Sequence, residues 1–429
     1  MLLKANPSNI NGFVAVPGSK SHTIRAIAGA LLADGCSIVR APLLSDDTAS
    51  TLEAAVKLGA KVEKADGCWK ITGTAGKLKT PECELDMGNS GTGLRMLAAA
   101  AALADGKVSF TGDESLCNRN MQPLLSALAE LGAEIEAAPG GKAPLSIKGS
   151  IHGGKASVEA LCSQFLSALL FAAPCIDDDA LEICVTALSE EPYVKITLNW
   201  LDRMQVKLNY SEDLMHYTVP GRQKLHAFDC VIPADFSTAA FPLGGGIIAS
   251  QGEGVTIRNL DFSDAQGDKA VFAMLESLGA KLRYNADSSV TVLPGAKLHS
   301  GELDLGQTPD ALPLLAAVAA VQDPDCVITL GNAAQARNKE TDRIDCMTRE
   351  LRKMGANIEE YHDRMVIRGA KLHGAEVSSY KDHRIAMALA VAALAADSPT
   401  VILDAESCAV TYPDFIADFK NLGADFTLA

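Results

Sequence analysis

Apolar and polar positions along the chain follow a repeating order of amphipathic helix, tight turn and short alternating stretch. The alternating stretches, such as residues 255–257 and 365–367, have the two-residue period that is typical of half-buried β-strands. Most of the helices end at a Leu-Gly-Ala-like tripeptide, in which glycine readily adopts the left-handed conformation that closes many helices. The pattern therefore predicts an α/β protein that is built from repeats.

Six copies of this repeat account for nearly the whole chain. The central residues of the closing tripeptides lie 68 to 76 residues apart. They are Gly59, Gly132, Gln205, Gly279, Gly355 and Gly423. Gln205, in the third repeat, is the one departure from glycine.

A second series of helices runs in step with the first. Alanine-rich stretches open at intervals of 69 to 74 residues, at Ser21, Ser90, Ser163, Ser237, Asp310 and Asp382. Residues 96–104 and 385–396 are apolar nearly all round, which is typical of buried helices. The start of a buried helix favours anions, because its first N–H groups lack partners and the helix dipole is positive there. Ordinary helix capping is the alternative explanation of the polar residues.

Composition and charge limit the possible partners. The 429 residues include 38 basic and 53 acidic side chains, and the net charge of −15 argues against nucleic-acid binding. The eleven cysteines form no C-x-x-C pair and the eight histidines no H-x-x-x-H spacing, which argues against zinc and redox motifs. Reduced thiols, and a start without the apolar core of a signal peptide, predict a cytoplasmic protein. No membrane partner is expected, since no apolar run approaches the roughly 18 residues that a spanning helix needs.

Cationic residues stand beside several of the predicted helix starts. Arginine presents a planar fork to carboxylate or phosphate, and a buried arginine without an anion is costly. The chain therefore predicts a pocket for a small polyanionic substrate, with structural ion pairs as the alternative for any single arginine. The cations are Lys20, Arg25, Arg95, Arg119, Arg343 and Arg384.

Four segments carry a specific resemblance to a known family. They are GSKSHTIR at 18–25, GNSGTGLR at 88–95, KETDR at 339–343 and DHR at 382–384. In this order and at this spacing they resemble the 5-enolpyruvylshikimate-3-phosphate synthase family, and other matching segments extend the likeness from end to end. The resemblance implies a two-lobed, inside-out α/β barrel of six βαβαββ repeats, three in each domain.

The resemblance also implies the domain boundaries and the reaction. Residues 17–231 would form the lobe that binds shikimate 3-phosphate, and residues 1–16 with 232–429 would complete the phosphoenolpyruvate site. The family transfers the enolpyruvyl group of phosphoenolpyruvate to the 5-hydroxyl of shikimate 3-phosphate by addition and elimination, without a metal or other cofactor. We expect a cytoplasmic monomer of the shikimate pathway. We also expect it to bind glyphosate with reduced affinity, because Gly91 leaves room for the inhibitor but Met96 and Val410 depart from the family pattern.

Site roles follow from the same resemblance. Asp310 and Glu340 are the expected acid/base pair, and Lys20 bridges the two substrates; which carboxylate is the base stays open. The residues expected to bind phosphoenolpyruvate are Lys20, Gly91, Arg119, Gln164, Arg343 and Arg384. Those expected to bind shikimate 3-phosphate are Lys20, Ser21, Arg25, Ser163, Gln164, Tyr193, Asp310 and Lys339. His383 either hydrogen-bonds within the site or has a purely structural role.

Three residues depart from the family pattern where ligands bind. Cys162 stands for a serine, and Val410 stands for a lysine whose charge-assisted contact is worth about 1.5 to 3 kcal/mol. Glu190 aligns near a serine that touches the acceptor phosphate. A carboxylate about 4 Å from a phosphate costs roughly 4 kcal/mol at a surface-like dielectric, unless the side chain points away.

These departures keep two other hypotheses open. One is an enolpyruvyl transferase with a different acceptor, such as UDP-N-acetylglucosamine, in which Cys117 would be a reactive loop cysteine. The other is a ligand-binding protein without turnover. Binding alone does not require the paired carboxylates Asp310 and Glu340, which argues against this second hypothesis.

Overall fold

The computed structural model describes residues 1–428, and the chain divides into two compact units. Unit 2 is Gly18–Ile232, and unit 1 combines Met1–Pro17 with the chain from Pro233 onward. Each boundary lies one residue beyond the one expected from the sequence. Among the described residues, no helix combines the length and the apolar character needed to cross a membrane.

The elements follow one another in the same order in each repeat. Unit 1 begins with β1 (Leu2–Ala5) and β2 (Ile10–Ala15). The strands of unit 2 are β3 (Cys36–Arg40), β4 (Lys61–Ala65), β5 (Cys68–Thr72), β6 (Leu85–Asp86), β7 (Val108–Thr111), β8 (Glu134–Ala138), β9 (Lys142–Lys148), β10 (Gly154–Ala160), β11 (Ala180–Leu188), β12 (Asn209–Tyr210), β13 (His216–Pro220) and β14 (Asp229–Val231). Its helices are α1 (Lys20–Leu32), α2 (Asp46–Lys57), α3 (Gly91–Ala101), α4 (Glu114–Cys117), α5 (Gln122–Glu130), α6 (Ser163–Ala172) and α7 (Glu191–Arg203), with a 3-10 turn at Ala173–Cys175.

Unit 1 continues with the second half of the chain. Its strands are β15 (Ser250–Arg258), β16 (Leu282–Tyr284), β17 (Val290–Val292), β18 (Gly301–Asp304), β19 (Val327–Gly331), β20 (Asn357–Glu360), β21 (Met365–Arg368), β22 (Glu376–Ser378), β23 (Thr400–Leu403) and β24 (Phe426–Leu428). Its helices are α8 (Phe236–Ala249), α9 (Ala270–Ser277), α10 (Leu312–Ala320), α11 (Arg343–Lys353), α12 (His383–Ala393) and α13 (Phe415–Leu422). Short 3-10 helices lie at Gly267–Lys269, Pro309–Ala311, Ala334–Asn338 and Ala405–Val410.

Six four-stranded sheets within residues 1–428 share one topology. In each sheet a parallel pair is followed by two antiparallel pairings. The strand orders are β14-β3-β5-β4, β6-β7-β9-β8 and β10-β11-β13-β12 in unit 2, and β2-β15-β17-β16, β18-β19-β21-β20 and β22-β23-β1-β24 in unit 1. The N-terminal strand β1 therefore completes the last sheet of unit 1, where Leu3 lies opposite Ile402 and Leu428.

One helix of each repeat is buried, as the alanine-rich stretches predict. In α12 all eleven residues are buried, and α1, α3, α6, α8 and α10 are buried along nearly their whole length. Helix α3 packs on α1 and α6, and α8, α10 and α12 pack on one another. The helices differ from the apolar stretches in their bounds, because α3 and α12 begin at polar or small residues before the apolar runs and end before residues 104 and 396. The starts of α1 and α12 carry Lys20 and Arg384 of the candidate site, and Asp310 lies just before α10.

The six closing turns have the same backbone conformation. The φ angle is 117° at Gly59 and between 93° and 109° at the other four glycines of the series. Gln205 is also left-handed, with φ of 61°, although its side chain disfavours that region. The closing turn of the third repeat therefore differs from the other five in sequence but keeps their left-handed backbone.

Candidate active site

Arg343 holds three carboxylates together in unit 1. It is the first residue of α11 and is 1% exposed. Its Nη1 donates to Asp310 Oδ1 at 2.8 Å, its Nη2 to Glu340 Oε2 at 2.6 Å, and its Nε to Asp382 Oδ2 at 2.8 Å. Burial alone would lower the pKa of Arg343, but the three carboxylates outweigh burial and hold that pKa above its usual value. Arg343 is therefore a permanent cation that fixes both predicted acid/base residues.

Asp310 lies among three cations. Its Oδ2 accepts from Arg384 Nη2 at 3.0 Å, and Lys339 Nζ is 3.5 Å from its Oδ1, the atom that also accepts from Arg343. Burial alone would raise the pKa of Asp310, but the charges of Arg384, Lys339 and Arg343 outweigh it and hold that pKa well below its usual range. At neutral pH Asp310 is thus an ionised carboxylate that can accept a hydrogen bond from a hydroxyl group.

Asp382 joins the start of α12 to this cluster. Its Oδ1 caps the helix by accepting from the Arg384 N–H at 2.9 Å, and its Oδ2 accepts from Arg343 Nε and from Thr341 Oγ1 at 3.0 Å. The buried His383 lies with Nδ1 4.0 Å from Asp382 Oδ1. The sequence places Asp382 in a motif at a predicted helix start, but it does not predict that Asp382 orients Arg343, since the two residues are far apart in the chain.

Lys20 is paired at the start of α1 in unit 2. Its Nζ lies 3.0 Å from Oδ2 of Asp47, which belongs to the first turn of α2. Both side chains are largely buried, so the pair fixes the ammonium group at the helix start. Asp47 was also missed, because two successive acidic residues in a first helical turn indicate no more than favourable dipole placement.

Arg25 is enclosed by α1, α6 and α7. Its Nε donates to Thr197 Oγ1 at 2.9 Å, its Nη1 to the Ser21 carbonyl at 3.1 Å, and its Nη2 to the Tyr193 carbonyl at 3.1 Å and Ser167 Oγ at 3.5 Å. These contacts use four of its five N–H donors on neutral oxygens. Burial lowers the pKa of Arg25 to about 10, so it stays charged at neutral pH. It therefore attracts anions to the surroundings of Ser21 and Tyr193.

The first turn of α3 lies against two arginines. A Cβ atom on Gly91 would be 2.7 Å from Arg119 Nη1 and 3.2 Å from Arg95 Nη1. Arg119 Nη1 donates to the Asn89 carbonyl at 3.3 Å, and Arg95 Nη1 donates to Gln164 Oε1 at 2.7 Å. Glycine at position 91 therefore lets two guanidinium groups approach a helix start, an arrangement that suits an anion. Arg95 is one of the cations beside predicted helix starts, but it is not among the predicted site residues.

Glu190 does not point away from the start of α6. Its carboxylate Oε2 accepts from Ser163 Oγ at 3.0 Å and lies 3.5 Å from Ser163 N, and the residue is 3% exposed. Its left-handed backbone, with φ of 58°, stands immediately before α7. The positive end of α6 and the serine hydroxyl attract the carboxylate. This attraction explains why the Glu190 side chain points toward Ser163 and not away from it.

The predicted site residues are distributed over both units. Lys20, Ser21, Arg25, Gly91, Arg119, Ser163, Gln164 and Tyr193 belong to unit 2, and Asp310, Lys339, Glu340, Arg343 and Arg384 belong to unit 1. Direct contacts join the five in unit 1 into one cluster, whereas those in unit 2 form neighbouring groups around the starts of α1, α3 and α6. Each group combines cations with a helix start, which suits small anions.

Comparison with known proteins identifies the family. Residues 4–419 match the family model described as EPSP synthase (3-phosphoshikimate 1-carboxyvinyltransferase). The chain belongs to the EPSP synthase family. A 3-phosphoshikimate 1-carboxyvinyltransferase of Acetivibrio thermocellus is 42% identical, over 100% of this chain and 99% of that protein. A 3-phosphoshikimate 1-carboxyvinyltransferase of Methanosarcina acetivorans is 40% identical, over 99% of this chain and 98% of that protein.

Solved structures agree with this assignment. An EPSP synthase from Acinetobacter baumannii matches with a TM-score of 0.84 and 26% identity, over 100% of this chain and 99% of the other. The predicted family, the inside-out α/β fold of six repeats and the enolpyruvyl transferase of the shikimate pathway are confirmed. The alternatives of a UDP-N-acetylglucosamine-type acceptor and of a protein without turnover lose their support.

Proposed function

We propose that this member of the EPSP synthase family uses Asp310 and Glu340 as its proton-carrying groups when it transfers the enolpyruvyl group of phosphoenolpyruvate to the 5-hydroxyl of shikimate 3-phosphate. The observation that carries this assignment is the buried Arg343, which donates to both carboxylates at 2.8 and 2.6 Å. A single rigid cation thus sets the separation and orientation of two groups that must act on one reaction.

The reaction requires three proton transfers. In the addition step the 5-hydroxyl oxygen bonds to C2 of phosphoenolpyruvate, a carboxylate accepts the hydroxyl proton, and a proton is added to the methylene carbon. In the elimination step that carbon loses a proton, the C–O bond to phosphate breaks, and the double bond forms again with inorganic phosphate as the leaving group. Asp310 and Glu340 divide these transfers, and Lys20 bridges the substrates.

Binding follows the charged groups around the helix starts. Phosphoenolpyruvate is assigned to Lys20, Gly91, Arg119, Gln164, Arg343 and Arg384, supported by the close approach of Arg119 to Gly91. Shikimate 3-phosphate is assigned to Lys20, Ser21, Arg25, Ser163, Gln164, Tyr193, Asp310 and Lys339, supported by the buried charge of Arg25 beside Ser21 and Tyr193.

Phosphate release tests the reaction and its residues. Purified protein receives phosphoenolpyruvate with shikimate 3-phosphate, or with UDP-N-acetylglucosamine as a parallel acceptor, in metal-free buffer. We expect phosphate release with shikimate 3-phosphate as the acceptor and none with UDP-N-acetylglucosamine. For Asp310→Asn and Glu340→Gln we expect kcat to fall by about 10²- to 10⁴-fold. Glu376→Gln, which neutralises an exposed carboxylate of β22, is the matched control. Wild-type turnover in either site variant would refute the acid/base assignment.

We also infer a cytoplasmic monomer without nucleic-acid or membrane partners. The eleven cysteines, all among the described residues, are free thiols, and the net charge is −15. Light scattering is expected to give a mass near the 44.9 kDa of one chain, and a mass twice as large would refute the monomer.

A further inference from the structure

The contact between Glu190 and Ser163 places a carboxylate at the start of a buried helix. Ser163 is the first residue of α6, and both residues are almost fully buried. The Cys162 side chain makes no capping hydrogen bond, and the Glu190 carboxylate accepts instead from the first N–H of the helix, that of Ser163, at 3.5 Å. A phosphate oxygen would use the same donors, since helix starts and serine hydroxyls bind phosphate in the same way.

Repeat geometry, rather than chance, brings these two positions together. In unit 1 the buried Asp268, just before α9, accepts from Ser237 Oγ at 2.9 Å in the first turn of α8. In the first repeat of unit 2, Asp47 of α2 meets Lys20 of α1. The start of a surface helix thus repeatedly delivers an acidic side chain to the start of a buried helix.

The charge of Glu190 also acts on Arg25. The hydrogen-bond acceptors around Arg25 are neutral oxygens, and the negative charge of Glu190 opposes the lowering of the pKa of Arg25 by burial. Glu190 therefore supplies to this region the kind of charge that an anionic substrate group would bring.

We infer that Glu190 is a specificity-determining residue whose carboxylate occupies the subsite for the acceptor's phosphate at the start of α6. This inference rests on the proposed function, which assigns Ser163 to shikimate 3-phosphate. The carboxylate must turn away from Ser163 before a phosphate group can bind there, and its like charge opposes that phosphate. Affinity for the acceptor is weakened, whereas phosphoenolpyruvate, whose assigned residues do not include Ser163, is affected little.

Kinetics of charge-neutral variants test this role. Glu190→Gln keeps the shape of the side chain without its charge, and Glu190→Asn shortens the side chain while suiting the left-handed backbone. We expect both to lower KM for shikimate 3-phosphate at least tenfold, with KM for phosphoenolpyruvate changed less than twofold. Glu191→Gln removes a half-exposed carboxylate one residue later and is expected to leave both KM values unchanged.

Calorimetric binding of shikimate 3-phosphate to the wild type and the variants separates this inference from the proposed function. Lack of turnover by the wild type would overturn the proposed function, while tighter binding by the variants would still support the role of Glu190. An unchanged or raised KM with unchanged binding would overturn the inference. If neither variant folds, Glu190 is a structural ion and the inference is also overturned.

Discussion

At the scale of single residues, the charge on Asp310 gives a pH signature. Its folded-state pKa is lower than the unfolded value near 3.8, so the ionised group stabilises the fold above that value. The stabilisation is lost as pH falls below about 3.8, by at most about 1.4 kcal/mol per pH unit. The difference in unfolding free energy between the wild type and Asp310→Asn is therefore expected to be equal at pH 7 and 5 and smaller at pH 3.

Urea unfolding at the three pH values measures this difference. Any packing cost of the asparagine is independent of pH and cancels in the comparison. Glu376→Gln, at an exposed position outside the charged cluster, is the control for the loss of one carboxylate. A wild-type advantage that persists unchanged at pH 3 would contradict the ion-pair account of Asp310.

Gly91 gives a second prediction at this scale. In Gly91→Ala the new methyl group would meet Arg119 Nη1 at 2.7 Å, so the flexible end of that arginine must move. The fold is expected to hold, because alanine favours a helix by about 1 kcal/mol over glycine. We expect KM for phosphoenolpyruvate to rise about tenfold, equivalent to about 1.4 kcal/mol. Steady-state kinetics with both substrates and a urea titration check this, and an unchanged KM would contradict the role of Gly91.

At the scale of elements, a substitution in the turn that closes α7 is expected to stabilise the fold. Gln205 is exposed and holds φ of 61°, where a residue with a side chain costs about 1 to 2 kcal/mol more than glycine. Gln205→Gly is expected to raise the unfolding free energy by about 1 kcal/mol, and Gln205→Ala to give no gain. Urea unfolding of both variants measures the change in unfolding free energy. An equal gain from Gln205→Ala would show that the glutamine side chain, rather than the left-handed backbone, destabilises the turn.

The elements were predictable where one local signal fixes them. Five closing turns carry glycine, and the buried helices carry predominantly apolar runs. The left-handed turn at Gln205 has no such signal; its neighbours Met204 and Val206 are buried, and packing on both sides holds the turn. Local sequence is therefore sufficient where propensity and packing agree, and insufficient where packing overrides propensity.

The candidate site was predictable in its cations and less so in their partners. Lysines and arginines stand beside helix starts in the sequence, and the family motifs name the principal ones. The pairing of Ser163 with Glu190 joins residues 27 positions apart, and that of Arg343 with Asp382 joins residues 39 apart. Such contacts depend on how helices pack within a repeat and between neighbouring repeats, which no short segment of the sequence contains.

At the scale of the whole molecule, the two units differ in continuity. The three described sheets of unit 2 draw every strand, β3 to β14, from the continuous segment Gly18–Ile232, and its buried helices α1, α3 and α6 lie there too. Unit 1 takes two strands from the N-terminus: β1 lies between β23 and β24, and β2 pairs with β15. Without residues 1–17, β24 has no described neighbour left in its sheet.

This difference predicts how fragments behave. A fragment of residues 18–232 is expected to fold cooperatively by itself, because its sheets and core are complete. A fragment of residues 233–429 is expected to fold only when residues 1–17 are restored, for example by a short linker after residue 429. Circular dichroism and the steepness of urea unfolding measure both outcomes. Cooperative unfolding of residues 233–429 alone would mean that β1 and β2 are dispensable, and that the interrupted unit is held by its helices rather than by its sheets.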